Sequence, residues 1–259
     1  MFGTVIVDAY RQSEIGEMAA AIEDICSPND SYGWASAGIY CFWDYCMEEI
    51  LYIGLAGDLS ERFKQHNGIL PLKQGSKQKN IEKYFSSNDT LGYTIFVQSP
   101  LSQPLVHRNK DQYQAFARQR NAPVGDLLSK EGNDDIHRVE GILIEAFRRK
   151  RGHLPPWNEI GGSIRGQNAV MPNNYNIVRC FSKPGDYILN PIMSRSTIRE
   201  LSSNPTYTSF EVFLHAVRMY MLIFGMDYKD ALKLTVENDP AHIYDFMKKE
   251  KYLNKKLKI

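Results

Sequence analysis

Gly38-Ile39-Tyr40-Cys41-Phe42-Trp43, a polar connection through Asp44 and Glu48-Glu49, and then Ile50-Leu51-Tyr52-Ile53-Gly54-Leu55 form the stretch from which the fold is read. The segments Ala37 to Trp43 and Ile50 to Leu55 are short, apolar and rich in strand formers, so the stretch reads as a β-hairpin. Side chains on a strand alternate between its two faces. Ile39 and Cys41 are therefore expected to share a core face with Leu51, Ile53 and Leu55, leaving Tyr40 and Tyr52 side by side on the accessible face.

A short helix is predicted next, over Leu59 to His66. Asp58 and Glu61 have capping-box spacing at its start, and Asn67-Gly68 is a stop signal. Leu59 and Phe63 lie one turn apart and can dock on the sheet. Arg62 and His66, also one turn apart, share another face that can look toward the tyrosines.

Gly38-Ile39-Tyr40, Tyr52-Ile53-Gly54, Arg62 and His66, in this order and at this spacing, resemble the GIY-YIG nuclease family. That family includes intron homing endonucleases, some restriction enzymes and the incision subunit of bacterial excision repair. The resemblance implies an α+β fold with a small three-stranded central sheet flanked by helices. It also implies two further site residues downstream, a helical glutamate and an asparagine near a proline.

Glu140 and Glu145 both lie on a predicted amphipathic helix, Ile136 to Arg151, whose apolar stripe runs through Ile136, Val139, Leu143, Ala146 and Phe147. Glu140 falls inside that stripe, where a carboxylate is costly unless a metal or partner compensates it. Glu145 falls outside, one turn before Arg149, where an exposed ion pair accounts for it. Glu140 also precedes Leu143-Ile144, as the family pattern requires, so it is the expected glutamate. Pro155-Pro156-Trp157-Asn158 then supplies the asparagine, after a basic insert that contains Arg148, Arg149, Lys150 and Arg151 and can reach phosphates.

The chemistry implied is metal-dependent hydrolysis of a phosphodiester. Tyr40 would act as general base or water orienter with Tyr52 aligning it, and Arg62 would hold the scissile phosphate. Positive charge from Arg62, His66 and the ion would make a phenol of ordinary pKa about 10 usable as a base. Glu140 would hold one divalent ion, Mg2+ with Mn2+ as a substitute, because magnesium suits a single-carboxylate site and keeps several waters. Asn158 would orient the site. Where some relatives carry another histidine, the segment Gln74 to Phe85 offers Ser76, Lys77 and Lys79, and either lysine is a candidate phosphate contact. DNA is the expected partner; RNA cleavage at the same site and a noncatalytic DNA-binding module are the alternatives. Tandem DNA-reading motifs of the homing type are missing from the sequence, which favours restriction or another anti-invader defence.

At 259 residues and a formal net charge of +1, the chain exceeds a nuclease module alone and does not advertise nucleic acid by charge. Basic residues instead concentrate at Arg148 to Arg151, around Arg165 and Arg179, and from Lys248 to Lys258. Cys26, Cys41, Cys46 and Cys180 form no metal motif and read as reduced thiols of a cytoplasmic protein. No signal segment opens the sequence, and His215 and Arg218 break the apolar run Phe210 to Phe224, so no membrane span is expected.

Three regions are expected. Residues 1–34 form a helical extension with a helix over Ser13 to Cys26 and a turn-rich Ser27 to Gly33 link, a surface for the nuclease core or for a second subunit in a homo-oligomer. Residues 35–162 form the nuclease, with a third strand at Leu91 to Gln98 and a polar insertion bearing Arg108, Lys110, Arg118 and Arg120, part of it helical from Lys110 to Asn121. Residues 163–259 are mainly helical and DNA- or partner-binding, with an extended piece at Tyr175 to Phe181. A Thr208–Glu211 capping box is expected before a helix over Ser209 to Phe224, with Pro240 interrupting the next one.

Overall fold

The first ten residues of regular structure are a strand rather than a helix. In the computed structural model, which describes residues 2–26, 34–71, 74–99, 114–115, 117–119, 121, 132–182 and 191–259, β1 (Phe2–Arg11) leads into α1 (Ile15–Cys26). The hairpin strands β2 (Gly38–Asp44) and β3 (Glu49–Ala56) follow, then α2 (Leu59–His66), α3 (Gln78–Phe85) and β4 (Thr90–Gln98). The long α4 (Gly132–Arg151) precedes the short α5 (Ile164–Asn168) and α6 (Asn174–Cys180). The chain closes with α7 (Ile198–Ser203), α8 (Pro205–Phe224), α9 (Tyr228–Glu237) and α10 (Ile243–Lys249).

The class is α+β, but the sheet has four antiparallel strands in the order β1-β4-β2-β3, not three. The added strand β1 pairs with β4 along its length, from Phe2 opposite Gln98 to Arg11 opposite Thr90. It carries no clean polar alternation because both of its faces are buried. On one face, Ile6, Tyr10, Tyr40, Phe42, Tyr93 and Ile95 pack with α1, α2, α3 and α7. On the other, Val5, Val7, Ile39, Cys41, Trp43, Ile53 and Phe96 pack with α4 and α6. The sheet is thus a middle layer with helices above and below.

The hairpin register departs from strict alternation at one place. A bulge between Phe42 and Trp43 puts Phe42 opposite Tyr52 and Trp43 opposite Ile50, with Leu51 the extra residue. Leu51 consequently packs on the tyrosine side of the sheet, not with Ile39 and Cys41 as expected, whereas Ile53 and Leu55 do join them.

Three further expectations are corrected or displaced. Tyr175 to Phe181 is not extended: Asn174–Cys180 is helical, and Val178 and Phe181, three positions apart, are buried against α4. The helix expected from Ser209 starts at Pro205, capped by Asn204, whose side chain accepts from the Thr206 and Tyr207 amides. Thr208 instead donates to the Leu201 carbonyl, and Glu211 is buried beside Arg218. The Ser27 to Gly33 link and half of the Lys110 to Asn121 segment, with Arg108, Lys110 and Arg120, lie outside the described residues.

The C-terminal helices are joined to the open edge of β1. Val5 bridges Met193 in parallel, with its N–H on the Ile192 carbonyl and its own carbonyl accepting from Ser194, so this edge is covered rather than left as a template for further strands. Arg218 explains why α8 interrupts its apolar run. Its guanidinium pairs with Glu211 at 2.7 Å and donates to Thr4 Oγ1 and to the Pro191 and Met193 carbonyls. All four cysteines are free thiols. Among the described residues no helix is long and apolar enough to cross a membrane.

Candidate active site

Tyr40 and Tyr52 are diagonal neighbours on one face of the hairpin, because Tyr40 stands opposite Gly54 and Tyr52 opposite Phe42. Their ring centroids are 5.7 Å apart. The two motif glycines have steric reasons. A Cβ on Gly54 would lie 2.8 Å from Tyr40 Oη and 2.5 Å from Tyr52 Cε1, and one on Gly38 would lie 2.3 Å from the Phe96 carbonyl oxygen.

The α2 helix delivers two polar residues, Arg62 and His66, to Tyr40. Asp58 accepts from the Glu61 amide and starts the helix, while Leu59 and Phe63 are fully buried against the sheet. Arg62 and His66 then fall on the face toward the hairpin. Tyr40 Oη lies 2.7 Å from His66 Nε2, and Arg62 Nε donates to it at 3.3 Å. The backbone N–H of Lys77 donates to His66 Nδ1 at 2.8 Å, so a neutral ring carries its proton on Nε2 and donates it to Tyr40.

The electrostatics correct two sequence expectations. Tyr40 is 1% exposed rather than on an accessible face, and Tyr52 is the half-buried member of the pair. Burial pushes the Tyr40 phenol well above its ordinary pKa, with the nearby Tyr52 adding to the rise and Arg62 opposing it. Tyr52 is also raised by burial, though its hydrogen bond with Tyr40 works the other way. His66 is not a source of positive charge: burial, then Arg62 and Lys77, hold its pKa down to about 3. Its contribution to Tyr40 is that of a neutral N–H donor.

Glu140 reaches this group from α4. Burial raises its carboxyl pKa to about 7, against the opposing effects of a hydrogen bond from the Leu55 backbone and of Arg62. The crossing of α4 and α5 is backbone against backbone, since a Cβ on Gly141 would lie 2.5 Å from the Ser163 carbonyl oxygen. Glu145 is the correction here. It is 5% exposed rather than a surface residue, and it is clamped by Arg148 Nε at 2.7 Å and Arg149 Nε at 2.9 Å. Those arginines hold its carboxyl down at about 2. Of the two carboxylates, Glu140 is thus the one kept from full charge at neutral pH.

Asn158 bonds to the backbone of β3. Its side-chain amide copies a strand pairing on the open edge of β3, accepting from the Ile53 N–H at 2.9 Å and donating to the Ile53 carbonyl at 2.8 Å. Trp157 extends the pairing by donating to the Leu51 carbonyl. Asn158 therefore fixes the strand that carries Tyr52.

The expected phosphate contacts separate into three groups. Lys77 is buried within the site, its ammonium bonded to Glu159 and 5.3 Å from the Tyr52 ring centroid. Lys79 is exposed. Arg148, Arg149, Lys150 and Arg151 are exposed at the C-terminal end of α4, roughly 12–16 Å along the helix axis from Glu140 at the usual rise per residue. Two of these cations are partly neutralised by Glu145, Lys150 lies 6.0 Å from the Tyr175 ring centroid, and Arg151 lies 4.0 Å from Glu49.

Gln65 is a site residue that the sequence reading does not single out. It accepts from Arg62 Nη1 at 3.2 Å and donates to Glu61 at 2.6 Å, fixing the guanidinium between Tyr40 and the Gly75 carbonyl. Its spacing, three residues after Arg62 and four after Glu61, carries that signal.

A metal at Glu140 would have one protein carboxylate. Among the described residues there is no cluster of three or more His, Cys, Asp or Glu that could hold an ion. A half-buried carboxyl that resists ionisation fits a hard cation that retains most of its water and takes other ligands from a phosphate. It does not fit a structural zinc site, which needs four protein donors.

No family model, curated protein or solved structure matches this chain.

Proposed function

We propose that the protein is a divalent-metal-dependent endonuclease of the GIY-YIG type that hydrolyses phosphodiester bonds in DNA. One observation carries the reading: Tyr40, Tyr52, Arg62, His66 and Glu140, drawn from four elements spread over a hundred residues of sequence, meet around one phenol oxygen and its neighbour. A structural role for this cluster would not need an arginine and a carboxyl half-exposed beside two phenols.

The residues have distinct tasks. Arg62 holds a phosphoryl oxygen and counters charge that grows on it in the transition state. Tyr40 is the inner phenol; because burial raises its pKa well above the ordinary value despite the Arg62 and His66 donors aimed at its oxygen, it acts as a neutral orienting group and not as the general base. Tyr52 is the outer phenol that aligns the attacking water. Asn158 keeps Tyr52 in place through β3. Glu140 would hold a magnesium ion, with manganese able to replace it, and the bound ion would supply charge neutralisation and water activation.

The site contacts the phosphodiester rather than the sugar, so RNA is the second substrate class. Purified protein incubated with matched DNA and RNA, with magnesium and with chelator, tests both. Magnesium-dependent cleavage of DNA that Glu140→Gln abolishes is the expected result. Binding without cleavage under every condition would leave only a nucleic-acid-binding module.

A further inference from the structure

Lys77 and Glu159 are an ion pair of unequal partners. The ammonium donates to Glu159 Oε1 at 2.9 Å, with the lysine side chain 7% exposed and the glutamate side chain 87% exposed. Lys77 is held on several sides: its backbone N–H is bonded to the buried His66, its carbonyl accepts from the Ile81 amide at the start of α3, and its ammonium packs beside the Tyr52 ring. Glu159 follows the anchored Asn158, yet its own carboxylate stands in solvent. An exposed carboxylate gains little from such a pair, since water solvates it almost as well. A buried ammonium, by contrast, needs an anion, because an uncompensated charge there is costly. The lysine is the fixed receptor and the glutamate its exchangeable occupant.

We propose that the Lys77 ammonium is a phosphodiester subsite beside Tyr52, and that Glu159 occupies it in the free protein as an internal stand-in for the substrate phosphate. The subsite rests on the nuclease reading and adds to it a second phosphate ligand and an autoinhibitory contact. Arg62 lies against Tyr40 and Lys77 against Tyr52, so the two cations flank the two phenols. A phosphodiester entering between them takes both, and Glu159 turns out into water. An extended polyanion, gripped elsewhere as well, displaces the carboxylate more readily than an isolated phosphate does.

The test is binding of a short duplex DNA across a salt series, with Glu140→Gln in every protein so that nothing is cut. Glu159→Gln should tighten binding and steepen the slope of log affinity against log salt by about 0.9, the increment of one phosphate contact. In a Lys77→Gln background the same change should add nothing further. Lys77→Arg, which keeps the charge, should preserve the response to Glu159→Gln. An unchanged slope in Glu159→Gln, or an equal change with and without the lysine, would overturn the subsite, the second result showing only general repulsion of DNA. Wild-type protein that cleaves while Glu159→Gln leaves binding untouched removes the subsite alone. Wild-type protein that neither binds nor cleaves DNA or RNA removes the nuclease reading and the subsite together.

Discussion

The Lys77 backbone N–H donates to His66 Nδ1 at 2.8 Å, and that bond decides what His66 can do. With Nδ1 accepting, the single proton of the neutral ring sits on Nε2 and points at Tyr40. Protonating the ring would place two N–H groups head to head at Nδ1, in a buried position already next to Arg62. A backbone group that touches neither phenol oxygen thus sets the hydrogen-bonding state of Tyr40.

His66 should therefore give no limb to the pH–rate profile near its ordinary pKa, and His66→Gln, which can still donate to Tyr40, should keep more activity than His66→Ala. Its stability effect has a definite sign. The folded pKa is depressed from 6.5 to about 3, so between those values the unfolded chain binds a proton that the native chain refuses. Stability is fully present above pH 6.5 and is lost progressively as pH falls toward 3. His215, also buried and also near 3, adds the same slope. Each histidine contributes up to about 1.4 kcal/mol per pH unit, so His66→Gln should remove about half of the pair's acid sensitivity. Chemical denaturation at stepped pH measures it.

Glu140→Gln should abolish cleavage and yet stabilise the metal-free protein at alkaline pH. The folded pKa is raised from 4.5 to about 7, so the native state holds the proton more tightly across that window. Whatever stability this supplies is present below 4.5 and lost as pH rises through 7, where the buried charge becomes a penalty. Relieving it should be worth on the order of 1–3 kcal/mol above pH 7, discounted for partial exposure. Glu145→Ala should do the opposite: most activity kept, and about 1 kcal/mol of stability lost with its three hydrogen bonds from Arg148 and Arg149. An essential Glu145 beside a dispensable Glu140 would reverse the assignment.

Arg62 uses three separate nitrogens, on Tyr40, Gln65 and the Gly75 carbonyl. Arg62→Ala should lower the single-turnover rate by at least roughly a hundredfold, the scale for losing one donor aimed at developing charge. Arg62→Lys should rescue poorly because an ammonium cannot make three planar contacts. Recovery of the full rate by lysine would mean that charge alone matters.

Asn158 is expected to act through β3. Asn158→Asp keeps the shape but sets a carboxylate oxygen against the Ile53 carbonyl, which should cost about 1–3 kcal/mol. Hydrogen exchange at the Ile53 amide should accelerate in this variant and in Asn158→Ala, and the cleavage rate should fall with it. A reduced rate with unchanged exchange at Ile53 would instead place Asn158 against the substrate.

How far the sequence reveals this molecule depends on whether a residue's environment is local. The hairpin, α2 with its Asp58 cap and β4 are legible because alternation, helical spacing and capping are short-range. β1 escapes such a reading because a strand buried on both faces shows a continuous apolar run instead of alternation. Tyr175 to Phe181 looks extended because of its branched and aromatic residues, but packing of Val178 and Phe181 on α4 outweighs that weak preference. Glu145 reads as exposed because helical spacing gives a face, not what covers it. The tilt of His66 toward neutrality depends on burial and on a bond from beyond the end of its helix, and the pairing of Lys77 with Glu159 joins segments far apart in the chain, neither of which a spacing rule captures.

The basic end of α4 should grip nucleic acid without taking part in cutting it. Arg148, Arg149, Lys150 and Arg151 are exposed and lie far from Glu140 along the helix, but Glu145 already draws on the first two. Lys150 and Arg151, facing Tyr175 and Glu49 more loosely, are the freer pair. In the C-terminal segment Lys255 is tied to Glu200 and the Arg195 carbonyl, and Lys248 to Asp245, so the tail is the weaker candidate. Neutralising Lys150 and Arg151 should flatten the salt dependence of duplex binding, by close to 0.9 units of slope for each phosphate that the protein no longer neutralises. The single-turnover rate at saturating protein should barely change, whereas Glu140→Gln should keep binding and lose cleavage. Removing the tail lysines should have a smaller effect on the slope. A salt dependence unmoved by Lys150 and Arg151 would make the cluster ordinary solvated surface and shift the search for the grip to Lys77, Lys79 and Arg62.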